Sequence, residues 1–210
     1  MNYTIEPWAD KVLDPEFDTL IQKQAELLVN IIGRTDSRKF PEWERHYILW
    51  TALKEAEHVN GNFVQYGVHN GQQAFFMASM TKEIVHLFES FEGITHVGEF
   101  DNEFYKENTF KPDREIFDKA MSAFENISLN ALTEFDKVEK ISVLYVDVAT
   151  YEPTKNALDN LFPKIVENGI LMVDTHDGYS TGAAKAMQEL AVSIGKEIQT
   201  LPTGILVLTK

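Results

Sequence analysis

Glycines and acids in this sequence stand where runs of apolar residues end. Gly67 and Gly71 lie four positions apart in FVQYGVHNGQQ, between an apolar run and an alanine- and phenylalanine-rich one. If a strand ends at Gly67 and a helix opens after Gly71, a ligand can approach bare main chain there, because glycine takes positive φ and carries no Cβ. A plain, close-packed turn would use the same residues. Glu89 closes the next apolar run, EIVHLFES. A carboxylate there accepts the two hydroxyls of a ribose, or else stands solvated. Two later runs end in Asp147 (VLYVDV) and Asp174 (ILMVDT). On neighbouring strands such ends lie about 4.8 Å apart. The two carboxylates would repel unless one is protonated or a cation bridges them. A hard divalent ion answers that need; helix capping would use the same acids without one. Thr175, His176 and Asp177 follow at once and offer further ligands or a base. His176, with an ordinary pKa of about 6.5, suits a general base, or it hydrogen-bonds its neighbours and nothing more.

The elements that must hold these residues follow from periodicity. Phe17, Leu20, Ile21, Leu28, Ile31 and Ile32 recur at helical spacing, with Gly33 as the stop and RTDSRKFP as a loop. Trp43, Tyr47, Trp50 and Leu53 mark a second helix. From Asn62 short apolar runs alternate with helical ones: NFVQYG, EIVHLFES, ISLN, KISVLYVDV and NGILMVDT read as strands. KISVLYVDV is apolar on both faces and therefore central. Residues 93–112 read as a long loop whose Phe100, Phe104, Tyr105 and Phe110 form an acceptor lid, a dimer contact or a small packing cluster. Asp113 caps the helix carrying Ile116, Phe117, Ala120 and Phe124. Pro153 opens another, with Leu158, Leu161, Phe162 and Ile165 inward. Ala183, Met187, Leu190, Ala191 and Ile194 line the last helix, which Gly195 stops. The closing KEIQTLPTGILVLTK joins two strands by a turn too short for a parallel crossover. The expected fold is an α/β, doubly wound, mostly parallel sheet closed by an antiparallel C-terminal hairpin. Residues 1–60 form an N-terminal helical extension or cap, and residues 61–210 the catalytic unit.

Composition narrows the partners. A formal net charge of −14 argues against nucleic acid and against an anionic membrane surface. No apolar run approaches the roughly 20 residues of a membrane helix. The N-terminus lacks the pattern of a signal peptide, so the protein is expected in the cytoplasm. Cysteine is absent, which removes disulfides and thiolate sites. A dinucleotide would call for G-x-G-x-x-G, which brings a pyrophosphate onto a helix N-terminus. The spacing Gly67-Val-His-Asn-Gly71 suits a phosphate-free adenosine cofactor better. S-adenosylmethionine is one.

The stretches FVQYGVHNGQQAFFMA, HLFESFEGI, LYVDVATYEPTKNALDNLFPKIVENGILMVD and GAAKAMQEL, in that order, resemble the macrocin O-methyltransferase family of class I S-adenosylmethionine-dependent enzymes. The resemblance runs from about Trp43 to Lys210. It implies methyl transfer to a hydroxyl of a small sugar or natural-product acceptor, magnesium dependence and a homo-oligomer. On this pattern Gln65, Tyr66, Gly67, Gly71, Glu89 and Ser90 bind the cofactor, Asp147, Asp174 and Thr175 hold Mg2+, and His176 or Asp147 takes the proton. The chain carries Gln65, Ala149 and Thr175 where the family has acids. A non-catalytic scaffold on the same fold is the alternative.

Overall fold

The computed structural model describes residues 14–32, 43–201 and 203–210, with backbone only at 28–32 and 43. The expected stop at Gly33, the loop at 34–41, Pro202 and the side chains of Leu28, Ile31, Ile32 and Trp43 lie outside the described residues. Two helices come first, α1 (Pro15–Ile32) and α2 (Trp43–Glu55). Strands and helices then alternate: β1 (Asn62–Tyr66), α3 (Gln72–Met80), β2 (Val85–Phe88), α4 (Arg114–Met121), β3 (Ile127–Asn130), β4 (Ile141–Val146), α5 (Tyr151–Leu161), β5 (Ile165–Asp174) and α6 (Thr181–Ile194). The hairpin of β6 (Gln199–Thr200) and β7 (Ile205–Thr209) ends the chain.

One seven-stranded sheet runs in the order β3-β2-β1-β4-β5-β7-β6. Strands β3 to β5 are parallel, and β7 is antiparallel to both β5 and β6. All six residues of β4 are buried, as its unbroken apolar run requires of a central parallel strand. Strand order reverses between β1 and β4, and open α/β sheets bind ligands in the crevice at that point. The two strands end level: Tyr66 pairs with Val146, and Val146 with Val173 of β5.

Each face of the sheet carries its own core. Phe63, Leu87, Val143, Tyr145 and Met172 face α1–α4, and Val64, Tyr66, Leu144, Val146 and Val173 face α5 and α6. The N-terminal helices share the first core. Fully buried Phe17 of α1 packs its ring against Tyr47 (5.1 Å), Phe76 (5.7 Å) and Trp50 (5.8 Å). Burying one such ring is worth about 1.5–3 kcal/mol. Three boundaries differ from the periodicity. Ile165 begins β5 instead of ending α5. Phe124 lies past α4, edge-on to Phe75 at 5.4 Å. Ile194 is 37% exposed because the inward stripe of α6 already ends at Ala191.

The segment between β2 and α4 has no helix or strand, yet it is tied down. Asp101 accepts hydrogen bonds from the N–H of Tyr151 (2.7 Å) and of Gly98 (2.7 Å). It thereby serves the first turn of α5, whose own N-cap Thr150 makes no side-chain bond. Thr181 at the start of α6 donates to the Phe100 carbonyl at 2.8 Å. Losing a cap of this kind costs about 1 kcal/mol. Asp101→Ala is therefore expected to lower the melting temperature by a few degrees, roughly as such a loss implies for a domain of this size. It should also make residues 93–112 the first site of cleavage in limited proteolysis. Unchanged cleavage would show that the loop is held elsewhere.

Candidate active site

The floor of the crevice is the turn after β1. Gly67 sits at φ +83°, and a Cβ there would lie 2.4 Å from the Asp147 carbonyl oxygen and 2.7 Å from Val148 Cγ1. The neighbouring strand's own exit thus demands glycine, independently of any ligand. Gly71, at φ +91°, turns the chain into α3 without a side-chain cap. Glu89 holds this turn in place. One carboxylate oxygen accepts the N–H of Val68 (2.9 Å) and His69 (2.8 Å), and the other those of Ser90 (2.8 Å) and Phe91 (3.0 Å). Four donors match the roughly four lone-pair positions of a carboxylate, so Glu89 staples the end of β2 to the turn.

The other residues named for the cofactor divide between the two faces. Gln65 is fully buried; its Nε2 donates to the Gly67 carbonyl at 2.9 Å, and its Oε1 has no partner among the described residues. Leaving such an acceptor unmet costs about 1–3 kcal/mol. The Tyr66 ring points to the opposite face, where its hydroxyl donates to the Leu132 carbonyl at 3.3 Å. Only its main chain reaches the crevice, its carbonyl accepting the Asp147 N–H at 2.8 Å. The Ser90 hydroxyl accepts the Glu92 N–H at 3.2 Å. His69 is exposed at φ +52°.

One strand over, Asp147, Asp174 and His176 bring ligand-type atoms within 4.8 Å of one another. Asp174 is 1% exposed. Its Oδ1 accepts from an Arg45 guanidinium N–H and from the His176 main-chain N–H (2.7 Å), and its Oδ2 from the Tyr145 hydroxyl (2.8 Å). Arg45 also reaches Asp177 at 2.8 Å. His176 Nε2 faces Asp147 Oδ1 at 3.0 Å, and its Nδ1 lies 3.9 Å from Asp174. The Thr175 hydroxyl is turned away, donating to the Gly204 carbonyl at 2.5 Å. His176 and Asp177 both sit at positive φ, +48° and +58°, a strain of the kind that gathers at functional sites.

The charges settle one another. Burial works against the Arg45 charge, but Asp174, with smaller help from Tyr145 and Asp177, holds the guanidinium above its ordinary pKa. Burial pushes the Asp174 carboxyl up, and the charge of Asp147 adds to it, while His176 and Arg45 oppose. Burial also disfavours the His176 imidazolium; the hydrogen bond and charge of Asp147, and then Asp174, outweigh that and push it up to about 9. The Tyr145 hydroxyl, fully buried, is raised far above its usual value.

Periodicity did not reveal Arg45, though a signal was there. In WERHYILWTALKE it shares a helical face with Ile48, Leu49 and Ala52. A charge in an apolar stripe calls for a buried partner. Aromatic residues of the 93–112 loop rim the site. Tyr105 is 6% exposed and bonded to Ser180 at 2.8 Å. Phe104 lies 6.0 Å from both Phe110 and Tyr179, and all three rings are exposed.

A sequence profile described as a methyltransferase domain matches residues 64–176, more than half of the chain. No curated protein matches it significantly in sequence. Among solved structures, the O-methyltransferase NovP superposes with a TM-score of 0.71 at 18% identity, over 93% of this chain and 98% of that one. The calicheamicin methyltransferase CalS11 gives 0.65 at 18%, over 97% and 99%. A putative caffeoyl-CoA O-methyltransferase from Staphylococcus aureus gives 0.59 at 14%, over 94% and 100%. At such identities the likeness establishes the fold.

Two outcomes follow from the charge cluster. Arg45→Met leaves a buried carboxylate without its cation and should destabilise the fold by about 3–5 kcal/mol, read from denaturant midpoints. In the metal-free protein the His176 ring should titrate near pH 9 by NMR, and Asp147→Asn should return it toward 6.5. Its raised pKa adds stability that is whole below about pH 6.5 and fades as pH rises through 9. The ring keeps 39% of its exposure, so solvent screening tempers the size of that effect.

Proposed function

We propose, from the premise that this chain belongs to the methyltransferase-domain family, that it is an S-adenosylmethionine-dependent O-methyltransferase acting on a hydroxyl of a small molecule. Within that family we place it with the macrocin-type enzymes, cytoplasmic and homo-oligomeric, with α1 and α2 as a cap on the catalytic unit 61–210. One observation carries the reading. The Gly67 turn and the Asp147–His176 pair adjoin across a single strand boundary, so a methyl donor on the turn and a proton acceptor beside it would meet at one acceptor hydroxyl.

The chain offers the donor a fitting set of groups. The unpartnered Gln65 Oε1 is an acceptor suited to an α-ammonium group. The main chain of residues 67–71 is held open by Glu89, which in this reading would exchange one of its four main-chain donors for a ribose hydroxyl beside Ser90. S-adenosylmethionine, when bound, supplies a methyl group on a sulfonium centre that is already reactive. The protein's part is alignment and proton removal. Asp147 orients His176 through Nε2, and Nδ1 would accept the proton of an acceptor hydroxyl held beside the methyl donor. Because His176 is pushed up to about 9, it must shed its own proton before it can act. Loop aromatics Phe104, Phe110 and Tyr179 would receive the body of the acceptor.

Mg2+ fits these residues poorly. Both oxygens of Asp174 are taken by chain donors, Asp147 is paired with His176, and the Thr175 hydroxyl faces Gly204. No step above uses it. The same closure of Asp174 favours a second reading, a non-catalytic member of the fold serving as a binding or oligomeric scaffold.

Calorimetry with S-adenosylhomocysteine and transfer of a labelled methyl group to a panel of sugar and phenolic hydroxyls separate the two. Saturable binding and label transfer are expected; absence of binding at millimolar ligand leaves the scaffold. For the enzyme, kcat/KM in the absence of metal should climb about tenfold per pH unit up to roughly pH 9, and His176→Gln should abolish that limb. A profile flat from pH 6 to 9 would remove His176 as the proton acceptor.

A further inference from the structure

We propose that Arg45 is the resident cation of the strand-end acid pocket, so that the docked α2 helix supplies the positive charge for which Asp174 would otherwise recruit a divalent metal. Exclusion of metal rests on geometry alone; its bearing on methyl transfer rests on the function proposed above.

Parallel β4 and β5 are in register, Val146 beside Val173, so Asp147 and Asp174 leave the strand ends side by side. Two carboxylates so placed need a cation or a proton. The chain brings the cation from 129 residues away in sequence. The Arg45 side chain is 8% exposed and donates to Asp174 and Asp177 together. It cannot drift off, because Ile48, Leu49, Ala52 and Leu53 of the same helix are buried in the core. A guanidinium offers a planar fork of donors that never loses its charge in a protein. Tyr145 and the His176 main chain take two further positions on Asp174, so three of its roughly four are filled.

What is left does not suit a hard divalent ion. Mg2+ requires close to octahedral oxygen coordination at about 2.0–2.1 Å and keeps several of its waters. For Asp174 to join such a shell, the ion must either sit against the Arg45 charge or displace it, leaving the buried guanidinium with Asp177 alone. Asp147 would have to leave His176 as well. Imidazole is a ligand for softer transition metals, not for magnesium. The acids are close enough to attract a metal, and the arginine already stands in the way.

The test is a metal titration of the full chain after removal of trace metal by EDTA and desalting. MgCl2 and MnCl2 are followed by calorimetry and by thermal melting. The wild type should show no saturable heat up to about 10 mM and no concentration-dependent melting shift, as expected when a ligand does not bind the native state. Arg45→Gln, which opens Asp174 and removes the charge, should gain saturable Mn2+ binding and a melting temperature that rises with Mn2+. Arg45→Lys, which keeps a charge, should stay insensitive. Wild-type binding of either ion below about 1 mM, abolished by Asp174→Asn, would overturn the proposal, the threshold being the weak end of calcium-type sites. So would equal binding by the Lys and Gln variants, or a folded Arg45→Gln that gains none. If Arg45→Gln does not fold, the wild-type titration decides alone. S-adenosylhomocysteine binding, measured on the same wild-type sample, reports separately on the methyltransferase reading.

Discussion

Asp174 is an ionisable group almost wholly removed from water, and the architecture around it answers that fact. An ion transferred from water to a protein interior loses several kcal/mol of solvation unless charge and hydrogen bonds replace it. The replacement comes from three directions. Tyr145 comes up from the neighbouring strand, the His176 amide folds back from the next residues, and Arg45 comes down from α2. No two of these elements are adjacent in sequence and also independent of the sheet. The pocket therefore exists only when β4 and β5 are paired and α2 is docked. Removing any partner leaves the others with unmet polar groups, which is a steeper loss than the pair itself confers.

The crevice at the switch point follows the same economy. Glycine at 67 looks in sequence like space left for a ligand. In three dimensions the Asp147 carbonyl fills that space, and the left-handed φ is what lets two parallel strands part while still touching. Glu89 looks like a free recognition acid, yet it gathers four main-chain N–H groups that no helix or strand satisfies. Main-chain donors in an irregular turn must find acceptors, and a carboxylate accepts several at once. Recognition of an adenosine ligand would be laid on top of this scaffold, at positions the scaffold has already fixed. Gln65 Oε1 differs from Glu89: it is a buried acceptor that finds no hydrogen-bond donor among the described residues.

The alternation of strands and helices was legible because period and length both spoke: β4 is an unbroken apolar run, Asp113 does cap α4, and a turn too short for a crossover forces β7 antiparallel. Element edges were less so. Ile165 is apolar whether it ends a helix or begins a strand, and only pairing with Ile141 decides. Side-chain direction at the site was legible for acids that close strands, since a strand end projects into the crevice. It was not legible for Tyr66, whose alternation puts its ring on the far face, or for Thr175, whose hydroxyl is claimed by the hairpin carbonyl of Gly204. Arg45 was hidden by distance. Its helix advertised a charge in an apolar stripe, but nothing in the stripe says which acid lies opposite.

This arrangement bears on how charge can be managed in a chain with a formal net charge of −14. A divalent ion would neutralise the strand-end acids only at the prevailing metal concentration, whereas an arginine in the fold does so whenever the chain is folded. The exchange has a cost in reach. A metal can bind an acceptor oxygen directly, while a guanidinium committed to Asp174 and Asp177 has few donors left to offer. In the function proposed above, activation of a hydroxyl would then fall to Asp147 and His176, whose Nε2 lies 3.0 Å from Asp147 and whose Nδ1 lies 3.9 Å from Asp174. Acid, histidine and arginine thus act as one linked set: Arg45 settles Asp174, a settled Asp174 fixes the His176 main chain, and that turn holds the imidazole against Asp147. Through Arg45, helix α2 is in this sense part of the site.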